Sequence, residues 1–368
     1  MDTEPEFDVG KGWISGYASA TLAILSLCGV LCFRFPGLLT SEQFRAAYST
    51  SFARGLLFAA LLAAYLLGIV SYALNRSKVP AWTGIGVALL ASLLGGSRVE
   101  VRAFESSPYS FGLDWFALSL LFSMLIFIPL EKAFALNKSQ KVLRRGWRVD
   151  MAYFFVSHLL IQFVLLFTNS AVGATFSWAA NAGLQGAVRS LPVPVQFLLA
   201  TFLADLFQYG AHRLHHKVGF LWRFHSIHHS SEAMDWLAGS RTHIVEVASV
   251  RAAVMVPLYV CGFSPAALNA YVILVGVQSV AIHANMGLDY GPLRFVLATP
   301  QYHHWHHAKH PDYVDANYAV HLPLVDMLFG TFKCPKGAWP PAYGVVSNAP
   351  PESFSGQLLH PFRPGGTR

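Results

Sequence analysis

Residues 212–229 read HRLHHKVGFLWRFHSIHH, a stretch rich in histidine. His212 and His216 lie four residues apart, and the last three histidines of the stretch follow the spacing i, i+3 and i+4. The sequence HHWHH at 303–307 repeats that second spacing. Residues three and four apart share one face of an α-helix and lie about 5–6 Å apart. Each set therefore predicts a helix that points two or three imidazoles into one small volume.

The composition around these sets is that of a membrane protein. Hydrophobic residues make up 54% of the 368 residues and charged residues only 12%, which is unlike a soluble domain. About 20 apolar residues in a helix cross the roughly 30 Å hydrocarbon core of a bilayer. The sequence therefore predicts an all-α, polytopic integral membrane protein, with the last two segments forming spans or a hairpin. The predicted segments are Trp13–Phe33, Gly55–Leu74, Trp82–Gly96, Leu113–Leu130, Met151–Phe167, Val195–Tyr209, Val245–Gly262 and Ala267–Ile282.

Charge and cysteine patterns limit the orientation and the partners. The connection at 131–148, EKAFALNKSQKVLRRGWR, carries six Lys and Arg residues, which predicts that it faces the cytoplasm. Counting segments from there places the histidine sets on the cytoplasmic side of a bacterial inner membrane. The net charge of +7 suits anionic lipid, and no basic patch with interleaved aromatic residues indicates nucleic acid. The four cysteines contain no CxxC pair, so no thiolate metal site is predicted.

The histidines are concentrated in one region, because thirteen of the sixteen lie between residues 212 and 310. A single histidine at a membrane helix end is usually a hydrogen-bonded interfacial residue, and His158, His310 and His360 are interpreted in this way. Clustered imidazoles are different, since protonated rings repel one another and neutral rings need a partner. We therefore predict metal binding. The predicted ligands are His212, His216, His225, His228, His229, His283, His303, His306 and His307.

The number and type of these ligands bear on the metal. Nine ligands exceed what one ion takes, so two ions are predicted. Imidazole suits iron, zinc, copper and nickel, and a structural zinc site needs only four ligands. A nearly carboxylate-free set favours a dinuclear redox site with iron, while spacing alone leaves zinc and copper open.

Residues 126–343 resemble the fatty acid hydroxylase and sterol desaturase superfamily, the integral-membrane di-iron oxygenases with HxxxH, HxxHH and HxxHH boxes. The resemblance rests on DLFQYGAHRLHH, LWRFHSIHHSSEAMDW, TPQYHHWHH and NYAVHLPLVDMLFGTF, in that order. It includes bacterial sterol desaturase-like proteins and the alkylglycerol monooxygenase branch. It implies a hydroxylase-like catalytic domain over 111–343, with transmembrane helices of unassigned role over 1–110 and a tail over 344–368.

The resemblance also implies roles for single residues. The nine histidines named above match iron ligands of the family by position. Asp205 lies seven residues before His212, hence on the same helical face, and is expected to accept a hydrogen bond from a ligand imidazole or to make a structural contact with a neighbouring helix. Asp326 is expected to accept such a hydrogen bond or to cap a turn. His243 is expected to support the ligands, to contact substrate, or to have a structural role only. His215 and His304 occupy variable positions inside the boxes and are expected to lie behind the ligands or at the surface.

The implied chemistry is O2-dependent hydroxylation of a lipid, at a fatty acyl chain, sterol, ether lipid or head group. The sequence has no cysteine set for an iron–sulfur cluster and no GxGxxG after a strand, so a separate electron-transfer protein or a reduced pterin is expected to supply electrons. Two alternatives remain open, a lipid desaturase with the same site and a metal-binding or transport protein without redox chemistry. A transporter would carry ligands through the bilayer midplane, whereas these boxes lie at the predicted cytoplasmic ends of segments.

Overall fold

The computed structural model describes residues 13–41, 45, 48–102, 107 and 109–363. These residues form helices joined by loops, and within them the only β-pairing is two isolated bridges. The α-helices are α1 (Ile14–Arg34), α2 (Pro36–Leu39), α3 (Thr50–Leu74), α4 (Val79–Leu93), α5 (Leu113–Ala133), α6 (Trp147–Leu159), α7 (Ile161–Phe176), α8 (Ala182–Ser190), α9 (Val193–Lys217), α10 (Gly219–His229), α11 (Ile244–Cys261), α12 (Pro265–Ala281), α13 (Pro300–His306), α14 (Pro323–Leu328) and α15 (Phe354–Leu359). The 3-10 helices are Gly96–Arg98, Ser177–Ala179, Ala238–Ser240, Gly291–Phe295, Pro311–Tyr313 and His360–Phe362.

Several helices fit an integral membrane protein, which confirms the predicted fold class. The five helices long and apolar enough to cross a bilayer are Ile14–Arg34, Thr50–Leu74, Val79–Arg98, Leu113–Ala133 and Ile244–Cys261. Helix α6 and the segment Ile161–Ala179 meet the same criterion together, although they bend by 55° at their junction.

Two predicted segments differ from this set. The predicted segment Val195–Tyr209 lies inside the 25-residue helix α9, which is not one of the five and carries Gln196, Asp205 and Gln208 as well as the first histidine set. Helix α12 has 17 residues and is apolar but shorter than a typical span.

The chain divides into two compact units, Met1–Leu121 with His158–Phe163, and Phe122–Ser157 with Val164–Arg368. In the first unit, α1, α3 and α4 pack through small residues. Ser19 Oγ donates to the carbonyl of Ala64 at 2.7 Å. A methyl group built on Gly84 would lie only 2.0 Å from Ser19 Oγ, so a larger residue does not fit at this position. Small residues allow helix backbones to approach closely. The predicted domain boundaries after residues 110 and 343 stay predictions.

In the second unit, α9 packs against α11 and α12 through a core that includes Ala200, Ala204 and Leu258. Helix α11 ends at Gly262, whose φ of 60° is the left-handed conformation that glycine adopts without strain. Ser264 then caps α12 through its side chain. This tight hairpin returns the chain to the start of α11, and His283 lies two residues after the end of α12.

Candidate metal centre

The predicted ligands come together as two groups of buried histidines. In each group the candidate ligand nitrogens all lie within 4.8 Å of one another. Helices α9, α10 and α13 supply seven of the rings, His307 follows directly after α13, and His283 lies two residues after the end of α12. The first group is His212, His216, His225, His229 and His306, and the second is His228, His283, His303 and His307.

Hydrogen bonds on the far side of two rings fix where the lone pairs of the first group point. His212 Nδ1 lies 2.6 Å from the carbonyl oxygen of Tyr318, and His225 Nδ1 lies 2.6 Å from Glu246 Oε1. Both oxygens are acceptors, so both Nδ1 atoms carry the proton and both Nε2 atoms carry a lone pair. The two Nε2 atoms lie 3.0 Å apart. Two lone pairs at this distance repel each other unless a cation lies between them.

The second group repeats the arrangement with different partners. His228 Nδ1 lies 3.2 Å from the carbonyl oxygen of Arg241, and His283 Nδ1 lies 2.8 Å from that of Ser279. Their Nε2 atoms therefore face each other as acceptors, at 3.3 Å. His303 Nε2 lies 3.0 Å from His283 Nε2 and adds a third nitrogen to the same place.

Burial keeps these rings neutral, which is the form that binds metal. It lowers the pKa of His228 to about 3 and that of His283 to about 3. His307 Nε2 lies 3.1 Å from His303 Nε2 and joins the second group. In the first group, His306 Nδ1 bonds the carbonyl of Ala316, and its Nε2 is buried without a hydrogen-bond partner among the residues that the structure describes. Buried polar atoms are normally paired, so an unpaired nitrogen beside converging lone pairs fits a metal ion. An all-imidazole donor set suits iron, zinc or copper.

The loop between α13 and α14 orients two ligands through its backbone. Tyr318 supplies the carbonyl that holds His212, and Ala316 supplies the carbonyl that holds His306 Nδ1, at 2.7 Å. Asn317 lies between them with φ of 58°, a left-handed conformation that asparagine tolerates. Its side chain donates to the carbonyl of Tyr302 and bonds the backbone of Lys333. The loop is therefore fixed on both sides of the two carbonyls.

Asp326 holds this loop rather than a ligand. Its carboxylate accepts from the backbone N–H groups of Tyr318 at 2.9 Å and Ala319 at 2.7 Å. It also accepts from the hydroxyl groups of Tyr302 and Thr331. The buried carboxylate therefore fixes the residue whose carbonyl orients His212. It acts on the candidate metal centre through the backbone.

Asp205 has the same indirect role, which corrects the expectation that it bonds a ligand imidazole. It accepts from the backbone N–H groups of Val320 at 3.0 Å, His321 at 3.2 Å and Leu322 at 2.6 Å. Because α9 carries both Asp205 and the first histidine set, these bonds fix the loop to the helix whose ligand it orients. All hydrogen bonds of the Asp205 carboxylate to described residues come from these three backbone N–H groups, and none comes from a ligand ring.

His243 lies at the start of α11 and has structural contacts. Its Nδ1 accepts from the backbone N–H of Val245 at 3.2 Å, which caps the helix, and its Nε2 donates to the carbonyl of Leu358 at 3.2 Å. It also packs against the ring of Phe224. Of its three expected roles, these contacts fit the structural one, and it is not in either histidine group.

His215 and His304 lie behind the two groups. His215 bonds the carbonyl of Ala211 and the hydroxyl of Ser249. His304 Nδ1 lies 3.0 Å from the hydroxyl oxygen of Tyr343, and its Nε2 lies 3.4 Å from the carbonyl oxygen of His283. Burial lowers the pKa of His304 to about 4, so the ring is neutral. Both residues are buried rather than at the surface.

Glu246 and a buried charge network were not singled out from the sequence. Glu246 is a carboxylate in the first turn of an apolar helix, and an ionisable residue at such a position indicates a functional role. The network joins Arg144, Asp150, Asp235 and Arg241, all less than 9% exposed. Arg144 bonds Asp235 through two nitrogens and Asp150 through one, and Arg241 bonds Asp150. The network fixes Arg241, whose carbonyl holds His228.

Replacement of Glu246 is expected to weaken metal binding in the first group. Glu246→Ala removes the partner of His225 Nδ1 and should lower metal affinity about 10–100-fold, the usual effect of losing such a partner. Glu246→Gln keeps an acceptor oxygen and should lose less. Competition with a chelator measures both affinities. Wild-type affinity in Glu246→Ala would contradict the assignment of this carboxylate to the candidate centre.

A small cavity of about 100 Å³ reaches the first group directly, with His229 and His306 in its wall. Trp222, Val314 and Val345 supply apolar surface opposite them. Trp222 also packs on the ring of His229, with centroids 5.5 Å apart. The cavity is therefore a place where a small or apolar reactant can approach the candidate ligands.

Comparison with known proteins places these features in a family. The fatty acid hydroxylase family model matches residues 197–331. The chain is 27% identical to an ornithine lipid hydroxylase of Rhizobium tropici over 76% of this chain and 84% of that protein. It is 29% identical to the alkylglycerol monooxygenase of Caenorhabditis elegans over 42% of this chain and 30% of that protein, so it spans less than a third of this relative.

A C-4 methylsterol oxidase of Schizosaccharomyces pombe is 29% identical over 43% of this chain and 54% of that protein. No solved structure matches the chain. The matched region contains all three histidine sets and the loop that Asp205 and Asp326 hold in place. Residues 197–331 therefore form a fatty acid hydroxylase domain, and the chain is similar over this domain to lipid hydroxylases, monooxygenases and a sterol oxidase.

Proposed function

We propose that this chain is a membrane oxidoreductase that hydroxylates a lipid with O2 at two iron ions held by the nine histidines. The observation that carries the proposal is the pair of buried, all-imidazole groups whose nitrogen lone pairs converge, inside a fatty acid hydroxylase domain. The similar ornithine lipid hydroxylase and alkylglycerol monooxygenases support a lipid as the substrate. The metals would be iron in the cell, and zinc in a purified sample would not contradict this, because availability also decides occupancy.

The reaction must balance with an external donor. One C–H bond of the lipid breaks and one C–O bond forms, and the second oxygen atom leaves as water. This takes two electrons and two protons beyond the lipid and O2. The described residues contain no second redox group, since the free cysteines Cys28, Cys32, Cys261 and Cys334 form no cluster. A separate electron-transfer protein or a reduced pterin would supply the electrons.

The protein's own contribution is to hold and orient. When bound, the iron ions supply O2 activation, which imidazole ligands support without cancelling the metal charge. The carbonyls of Tyr318, Ala316, Arg241 and Ser279 keep the ligand rings in one orientation. Trp222 and Val345 line the small cavity beside His229 and His306 with apolar surface. A C–H bond and O2 would meet in that cavity.

Lipid mass spectrometry of the native host, with and without the gene and under ¹⁸O2, tests the function. A lipid that gains one labelled oxygen only in the intact strain is the expected result. Loss of two hydrogens without label would identify a desaturase instead. If no lipid changes and cellular metal content does, the protein is a metal-binding or transport protein and the proposal is wrong.

The histidine groups are proposed to face the cytoplasm, which makes a labelling experiment decisive. In a background without the four native cysteines, a membrane-impermeant maleimide added outside the cell should label Ala187→Cys and not His310→Cys. Ala187 is exposed in α8, so its label reports sidedness rather than burial. After permeabilisation His310→Cys should react, which controls for access. The reverse pattern would invert the proposed orientation.

A further inference from the structure

A second cavity, of about 390 Å³, lies on the other side of the segment at 341–344. Its wall carries polar side chains, including Glu232, His304, Lys309 and Tyr343. The volume lies in the range of small-molecule sites, about 300–1,000 Å³. None of these four residues belongs to the nine candidate ligands, so the cavity has no role in the function proposed above.

The two charged side chains at this cavity lie close together without pairing. A methyl group built on Gly344 would lie 3.7 Å from Cγ of Glu232 and 3.9 Å from Cδ of Lys309. Both side chains therefore lie beside Gly344, and both are exposed. Among the described residues, neither their carboxylate nor their ammonium group is in an ion pair; Arg145, which pairs with Glu352, lies near enough to Glu232 for a charge interaction without contact. Opposite charges placed side by side and left unpaired can each bind one end of a zwitterion.

Tyr343 adds an acceptor to this arrangement. The carbonyl of His283 can only accept, so the neutral ring of His304 donates from Nε2 and accepts at Nδ1. The Tyr343 hydroxyl therefore donates its proton to His304, and its oxygen lone pairs remain for a ligand donor. An ammonium group in the cavity would meet this oxygen and the Glu232 carboxylate.

The segment at 341–344 also relates this cavity to the candidate metal centre. Lys309 N–H donates to the carbonyl of Ala342 at 2.9 Å, and Ala308 and Tyr343 form an isolated bridge, so the segment is held in place. Tyr343 lines the polar cavity, whereas the next residue, Gly344, lines the small cavity beside His229 and His306. A group bound in the polar cavity is thus separated from the candidate ligands by this single segment.

We propose that the polar cavity binds the zwitterionic headgroup of the lipid substrate, with Glu232 receiving its ammonium group and Lys309 its carboxylate or phosphate. The proposal rests on the lipid oxygenase function and adds the class of headgroup to it. Charge-assisted hydrogen bonds are about twice as strong as neutral ones, so headgroup charge should control affinity. Glu232 and Lys309 touch no candidate ligand and act on binding alone.

Calorimetric binding of short-chain lipids to the purified, metal-loaded full chain tests this inference. The lipids share acyl chains and differ in headgroup, which is phosphoethanolamine, phosphoglycerol or neutral glucose. Wild type should bind the phosphoethanolamine lipid about tenfold or more tightly than the other two. Glu232→Gln and Lys309→Gln should each remove most of that preference. Free phosphoethanolamine should compete only weakly, since it lacks the acyl chains.

Matched controls separate a headgroup site from general charge effects. Asp289→Asn and Lys336→Gln change exposed charges that do not line the cavity and should keep wild-type preference. All variants should keep wild-type thermal stability and metal content. Equal wild-type affinity for the three headgroups would overturn the inference. So would glutamine variants that change only the dependence on a reduced pterin, because the cavity would then serve the reductant.

The same measurements keep the two proposals distinguishable, because binding is read without turnover. Headgroup preference without incorporation of labelled oxygen would leave the cavity assigned and the oxygenase function wrong. Incorporation without headgroup preference would leave the oxygenase function standing and remove the headgroup site.

Discussion

Wild-type protein is expected to bind about two metal ions, and a variant with both His228→Ala and His306→Ala is expected to bind none tightly. The two substitutions remove one nitrogen from each group, and each removal leaves facing lone pairs without a complete ligand set. Lipid oxygenation should fall to background because the O2 chemistry needs both ions. Elemental analysis of purified protein and incorporation of labelled oxygen measure the two effects.

Single variants and distant histidines complete this test. His216→Ala should affect the first group and His283→Ala the second, so each should lose about one equivalent first. His310→Ala and His360→Ala lie outside both groups and should keep wild-type metal content. One equivalent in wild type, or loss of metal in His310→Ala, would be inconsistent with two histidine groups acting as the ligands.

Asp150→Asn is expected to destabilise the second unit by about 3–5 kcal/mol, the cost of removing one partner from a buried ion pair. Asp150 is completely buried and bonds both Arg144 and Arg241. The variant leaves two buried guanidinium groups with one carboxylate, Asp235. Metal affinity of the second group should fall as well, because the carbonyl of Arg241 orients His228.

Denaturant titration in detergent measures the change in the free energy of unfolding. The matched control is Glu352→Gln, which breaks the exposed pair with Arg145 and should leave unfolding unchanged. If Asp150→Asn unfolds at the same denaturant concentration as the control, the network is not a determinant of stability. If its metal affinity is also unchanged, the hydrogen bond between His228 and the Arg241 carbonyl does not contribute to metal binding.

The sequence predicts the histidine groups well because their spacing is local. Residues three and four apart on α9, α10 and α13 share a face whatever the rest of the fold does. The partners of these rings are not local in the same way. His212 bonds a carbonyl 106 residues later, and His225 bonds a carboxylate 21 residues later. Such pairs depend on tertiary packing, which spacing does not report.

Asp205 illustrates the limit within a single residue. Its position on α9, seven residues before His212, indicates a contact with a ligand imidazole. Its partners are three backbone amides of a distant loop, and no side-chain pattern identifies a backbone donor.

The 55° bend between α6 and α7 could not be predicted from the sequence either. Neither proline nor glycine lies at the break, and nothing in those residues explains the bend.

The use of main-chain oxygens to hold the ligand rings has a consequence for how such a protein can diverge. A carbonyl is present whatever side chain its residue carries, so the acceptor oxygens at 279, 316 and 318 do not depend on which side chain those residues carry. The carbonyl at 241 is an exception, because the buried Arg241 side chain fixes its position. The walls of the two cavities, at positions such as 232, 309 and 345, are set by side chains. Substitutions of the residues that line the cavities can therefore change which lipid binds, while the backbone carbonyls continue to orient the histidine rings.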